Sequence, residues 1–146
     1  MKLIYSFFRF FFTNRSFLFP KNRFSFGTSK EIGDFGENHA VRFLKKKNYK
    51  IVKRNWRFKR CELDIIAVDG EVLVFIEVKT RSDSSFIRGY QAVDKRKRKL
   101  LAQACRAYLN HLSYRPYMYR VDIIDIVVIE QSKLNISHYE NIGIID

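Results

Sequence analysis

Five consecutive apolar residues, Val72, Leu73, Val74, Phe75 and Ile76, run straight into Glu77-Val78-Lys79. Side chains alternate along a strand, so this run is apolar on both faces and marks a central strand covered on both sides. Residues 62–68 read as a second strand, joined to 72–79 around Asp69-Gly70, the strongest short hairpin signal in the chain. Residues 51–58 read as a third, with Val52, Arg54, Trp56 and Phe58 on one face.

Two segments offer the cover that such a sheet needs. From Ser29 onward, Ile32, Phe35, Gly36, His39, Ala40, Phe43 and Leu44 recur at helical spacing, and Lys45, Lys46 and Lys47 close the last turn as the helix dipole prefers. Residues 82–91 form a polar loop. Asp94 can cap a second helix with Leu101, Ala104, Cys105, Tyr108 and Leu112 as its buried stripe. Residues 119–129 return as a strand, and the tail after Glu130 is weakly patterned. The order is helix, three-strand meander, helix, strand, which predicts an α/β sandwich around a mixed sheet.

At 146 residues the length suits one domain, placed at residues 29–130, with an N-terminal extension (1–28) and a C-terminal tail (131–146). Apolar residues at 47% and charged residues at 29% exclude a disordered chain. The net charge of +13 suits a polyanionic partner, nucleic acid or an anionic membrane surface. Cys61 and Cys105 lack CxxC companions and His39, His111 and His138 are scattered, so neither a disulfide framework nor a zinc site is expected. A reducing compartment follows, and the cytoplasm is the expected location.

The first 26 residues are basic, rich in phenylalanine and free of acids. Arg9 and Arg15 interrupt their apolar runs, so no stretch reaches the roughly 20 apolar residues of a membrane span. Three readings stay open: an extension upstream of the true start, which is favoured, a membrane-surface segment, or an organellar targeting peptide.

The chemistry-bearing residues lie where the two central strands end. Glu77 and Lys79 emerge on one face and Val78 on the other. A hairpin symmetric about Asp69-Gly70 sets Glu62 opposite Glu77 and Asp64 opposite Phe75, so Glu62, Asp64, Glu77 and Lys79 share a face with Asp64 diagonal to Glu77. Three carboxylates and an amine there are costly to bury without a partner, and a hard divalent cation removes the cost. Mg²⁺ (or Mn²⁺) takes oxygen ligands and keeps several waters, so two carboxylates plus a substrate phosphate suit it. Lys79 can orient the attacking water or stabilise the developing anion.

This pattern resembles the PD-(D/E)xK nuclease superfamily, and more closely the uncharacterised YraN-type family of predicted nucleases. The resemblance is carried by Gly33-Asp34-Phe35-Gly36-Glu37 with Ala40, Arg54-Asn55-Trp56-Arg57 and Glu62-Leu63-Asp64-Ile65-Ile66-Ala67. It continues through Phe75-Ile76-Glu77-Val78-Lys79-Thr80-Arg81, the basic run to Lys99, and Arg120-Val121-Asp122. Cys61 departs from it, standing where a glycine or other small residue is usual. The resemblance implies a restriction-endonuclease-like fold, with Asp64 and Glu77 as metal ligands and the Val78 main-chain carbonyl as a third. It also implies Lys79 as the catalytic lysine and Glu37 reaching the site from the first helix, as in archaeal junction-resolving relatives.

The implied activity is metal-dependent hydrolysis of phosphodiesters in branched or damaged nucleic acid, DNA before RNA. The alternative is a binding module without chemistry, and a homodimer is left open. The nucleic-acid-binding set is Lys45, Lys46, Lys47, Lys53, Arg54, Arg57, Arg81, Lys95, Arg96, Lys97 and Lys99. Plainer roles are read for Glu62 as a charge balance for nearby arginines, His39 as a core histidine, Trp56 as a half-buried core residue in preference to one that stacks on a base, and Arg120–Asp122 as a structural pair.

Overall fold

The computed structural model describes residues 15–18, 28–82, 95–130 and 133–143. Helix α1 (Ser29–Lys46) opens on a capping box. The Thr28 hydroxyl accepts the Glu31 N–H at 3.2 Å, and the Glu31 carboxylate accepts the Thr28 N–H at 3.0 Å. The helix stops at Asn48, whose φ of +66° is a left-handed conformation that asparagine tolerates.

Among the described residues six strands follow the order β1-β6-β5-β4-β3-β2. They are β1 (Arg15–Leu18), β2 (Lys50–Phe58), β3 (Cys61–Asp69), β4 (Val72–Ser82), β5 (Met118–Glu130) and β6 (Lys133–Tyr139). All neighbours are antiparallel except β4 and β5, which run parallel and are joined through helix α2 (Lys95–His111), as a parallel pair requires.

As the apolar run requires, β4 is buried on both faces. Val74 and Ile76 pack with Ala40 and Leu44 of α1, whereas Leu73 and Phe75 pack with Leu101, Ala104 and Cys105 of α2. This is the expected restriction-endonuclease-like α/β sandwich, a mixed sheet with a helix on each face. Strands β6 and β1 extend it through segments whose patterning is weak. The Asp94 cap, most of the polar loop after β4 and most of the N-terminal extension lie outside the described residues.

Two local expectations change. Asp69 itself pairs with Val72, leaving Gly70-Glu71 as the two-residue turn with Gly70 at a φ of +60°, where such a loop takes a positive-φ residue. The pairing therefore shifts by two residues, to Ile65 opposite Ile76. A two-residue shift keeps side chains from Asp64 to Asp69 on their faces, and it brings Asp64 level with Glu77 instead of diagonal to it. Before Asp64 the alternation breaks, since Leu63 packs on the α2 side with Ile66 while Ile65 packs on the α1 side, and Glu62 does not join the shared face. On β2 the alternation breaks. A bulge between Ile51 and Lys53 and a φ of +50° at Asn55 send Arg54 toward Glu37 of α1, while Trp56 packs edge-on against Tyr108 of α2. Arg54 and Trp56 do not share a face.

A buried polar network ties the end of α1 to the sheet. Arg120 donates to Asp122, Asp69 and the Tyr49 hydroxyl, and Asp122 also meets His138 Nε2 at 3.0 Å. Burial alone would raise the Asp122 carboxyl, but His138, Arg120 and the Asn141 N–H together hold it below its ordinary range. The Arg120–Asp122 pair is structural, as expected. Both cysteines are free thiols, and His39 is buried in α1, its imidazole pushed down by burial.

Candidate active site

The ladder between β3 and β4 runs from Asp69–Val72 to Ile65–Ile76 and stops there. Beyond it, the Asp64 carboxylate takes the Val78 N–H at 2.8 Å, in the place of a ladder carbonyl. Strand β4 continues with β5 as far as Ser82, and β3 continues with β2 to the Cys61–Phe58 pair. The two central strands therefore part at Asp64 and Glu77, and the carboxylates stand in the notch between them.

Glu77 is 1% exposed. Its Oε1 accepts Lys79 Nζ at 2.7 Å and lies 3.0 Å from Lys97 Nζ, which reaches in from the first turn of α2. Among the described residues, its buried Oε2 has no hydrogen-bond partner. Two lysines thus neutralise one oxygen of a buried carboxylate and leave the other unsatisfied, which is costly in a dry site.

The Asp64 carboxyl is pushed up to about 7, first by burial and then by Glu77, against the pull of the Val78 N–H and Lys97. Lys97 is held above the ordinary lysine value: burial works against its charge, but Glu77 and Asp64 outweigh it.

Glu37 approaches from the α1 side. Its Oε2 is buried and lies 3.6 Å from Arg54 Nη2, close enough for an ion pair but beyond hydrogen bonding. The field of Glu37 reaches Asp64, adding to the upward push on that acid. Gly36 makes the approach possible, because a Cβ there would overlap the Thr80 side chain of β4. Glu62 turns outward, half-exposed, with Arg57 Nε at 3.5 Å.

Among the described residues, no three histidine, cysteine, aspartate or glutamate side chains gather into a metal cage. The donors that meet are carboxylate oxygens, those of Asp64 and the unsatisfied Oε2 of Glu77, and Asp64 is tied to the main chain through the Val78 N–H. That set fits a hard cation that keeps most of its waters, and it does not fit zinc.

The basic residues separate into distinct groups. Lys45, Lys46, Lys53, Lys95, Arg96 and Lys99 are exposed. Lys47 is engaged by His138 and Glu140, away from the notch. Arg57 is exposed and pairs with Glu62. Arg81 forms a fork with the buried Asp125, Nε to Oδ1 at 3.2 Å and Nη2 to Oδ2 at 2.7 Å, on the strand face that carries Glu77 and Lys79.

Two site residues escape a reading for phosphate contacts alone. Lys97 lies on the stripe of Leu101, Cys105 and Tyr108 at helical spacing, which marks it as inward-facing despite its charge. Asp125 interrupts an apolar run on β5, and a charge inside such a run signals a buried partner.

Comparison with known proteins finds a family model, described as an uncharacterised protein family, UPF0102, matching residues 36–126. The chain is similar to a UPF0102 protein of Carboxydothermus hydrogenoformans, 38% identical over 113 residues that cover 77% of this chain and 95% of the relative. A UPF0102 protein of Chlorobaculum tepidum is 41% identical over 109 residues, covering 75% and 84%. One of Flavobacterium johnsoniae is 42% identical over 105 residues, covering 70% and 83%. The matched stretch contains Glu37, Asp64, Glu77, Lys79 and Lys97.

Proposed function

We propose that this chain, which belongs to the uncharacterised protein family UPF0102, is a metal-dependent nuclease that hydrolyses phosphodiester bonds, with DNA favoured over RNA. One observation carries the reading: a fully buried glutamate, faced by two lysines and a second carboxylate, keeps an oxygen without a partner among the described residues where two central strands separate. A structural ion pair gains nothing from that oxygen, whereas a cation ligand needs it.

Asp64 and Glu77 would hold Mg²⁺ or Mn²⁺, with the Val78 carbonyl as a further donor. When bound, the ion supplies Lewis acidity to the phosphodiester and lowers the cost of forming hydroxide. The chain's own residues do the rest. Lys79, anchored on Glu77 Oε1, holds an ammonium where it can orient the attacking water. As the water oxygen bonds to phosphorus, giving its proton to bulk water, and the ester P–O bond breaks, Lys97 Nζ, 3.0 Å from the same glutamate oxygen, can steady the leaving anion. Arg81, fixed by Asp125, adds a cation on the same strand face for a neighbouring phosphate.

The test is cleavage of single-stranded, duplex, flapped and four-way DNA, and of RNA, with Mg²⁺ or Mn²⁺, by the wild-type chain and by Glu77→Ala and Asp64→Asn. Cleavage by the wild type and its loss in both variants, with binding kept, is the expected result. Full activity in either variant would falsify the site. A second reading has its own support: Lys79 and Lys97 already neutralise Glu77, as in a binding module that does no chemistry. Binding without cleavage across the panel would favour it.

A further inference from the structure

Strand β2 is the edge of the sheet, and at its end two aromatic rings lie parallel. The Trp56 and Phe58 planes are 6° apart with centroids at 6.1 Å. Trp56 is wedged edge-on against Tyr108, which fixes its orientation, while Phe58 is 45% exposed. Cations crowd this end of the strand. Lys59 Nζ stands over the ring at 5.3 Å, and Arg57 and Arg60, its near neighbours in sequence, are exposed. A φ of +54° at Lys59 lets the chain reverse immediately after the ring.

An exposed phenylalanine stacked on a fixed tryptophan, with a lysine over the ring and exposed arginines beside it in sequence, is a poor core and a good platform for a base, because the ring offers a π-face and the cations meet the phosphates. We infer that Trp56 and Phe58 form a stacking shelf for an unpaired base, which makes the substrate class a nucleic acid with single-stranded character. The inference rests on the nucleic-acid reading above and deepens it. Phe58 pairs with Cys61, three residues along β3 from Asp64, about 10 Å at the rise of a strand. That is about three stacked base steps, so a strand whose phosphate lies in the notch has a base within reach of the shelf. A duplex keeps its bases paired and stacked and offers the shelf nothing.

Trp56 is the sole tryptophan in the chain, so its fluorescence reports on the shelf directly. The full chain, in chelator so that nothing is cut, is titrated with a thymidine homopolymer and with a blunt duplex of equal length. The single strand should quench Trp56 strongly and the duplex little. Phe58→Ala should weaken single-strand binding by roughly 10-fold, within the range for removal of one base stack, and leave duplex affinity unchanged. Phe58→Tyr should restore it.

Equal quenching by both ligands, or unchanged single-strand affinity in Phe58→Ala, would overturn the shelf. So would a changed oligomeric state in Phe58→Ala on sedimentation, which would make the edge an interface between copies. Because no cleavage is involved, stacking without nuclease activity would sink the proposed function and keep the shelf, and cleavage without stacking would do the reverse.

Discussion

Asp64 and Glu77 share one electrostatic problem, and they meet it differently. Glu77 leans on two ammonium groups, whereas Asp64, half-buried beside Glu77, is pushed up to about 7. An acid whose folded-state value lies above its unfolded one costs stability as it ionises. The cost is absent below about pH 4, grows as pH rises, and is complete once pH passes the folded value. Asp64→Asn keeps an acceptor for the Val78 N–H but cannot ionise. In chelator it should raise Tm by several degrees near pH 8 and leave it nearly unchanged near pH 4; an equal gain at both would show that ionisation is not the cause. Lys79 is a separate case, since it touches Glu77 without being a metal ligand. Lys79→Ala should lower turnover by roughly 100-fold at unchanged metal affinity, and Lys79→Arg should recover only part, because a planar fork replaces a compact charge. Calorimetric metal titration beside single-turnover cleavage checks this, and wild-type cleavage by Lys79→Ala would make the lysine a bystander. The residue types in the notch were legible in the sequence because acids at the end of apolar strands stand out. The inward turn of Lys97 was obscured by its place in a run of five basic residues, although helical spacing marks it.

At the scale of elements, α1 reaches Glu37 toward the site only because it lies close on β4. Gly36 sits against Thr80, and a methyl group there would overlap the threonine side chain. Gly36→Ala should therefore destabilise the fold by about 1–3 kcal/mol despite the better helix propensity of alanine. Thr80→Ala in the same chain should recover part of that loss, which denaturant unfolding of the single and double variants measures; no coupling between them would place the contact elsewhere. The helices and central strands were readable from periods of 3.6 and 2. The face of Arg54 was not, because the bulge in β2 and the positive φ at Asn55 reset the alternation without a proline or glycine to announce them.

Over the whole molecule, the charge of +13 is unevenly deployed. Exposed Lys53 and Lys95 are open to phosphates, whereas Lys47 holds His138 and Glu140. Affinity for nucleic acid should fall steeply with salt. Lys53→Ala and Lys95→Ala should each reduce the log–log slope by about 0.9, the value for each phosphate no longer neutralised, while Lys47→Ala lowers Tm and leaves the slope alone. Filter binding across a salt series tests this, and identical slopes in all three variants would remove the phosphate assignment. Among the described residues no helix is long and apolar enough to cross a membrane.

By itself the sequence determined the elements of 29–130, the double burial of β4 and the face shared by Asp64, Glu77 and Lys79. Each follows from a local period, and a period of two survives a two-residue slip in register. Only the tertiary structure decided that Asp64 stands level with Glu77, that β3 and β4 part there, and that Lys97 and the Arg81–Asp125 pair come to the same face. It also decided that β6 and β1 complete the sheet. Those depend on which distant segments pair and how far, and pairing is settled by packing across the whole core, which no window of neighbouring residues contains.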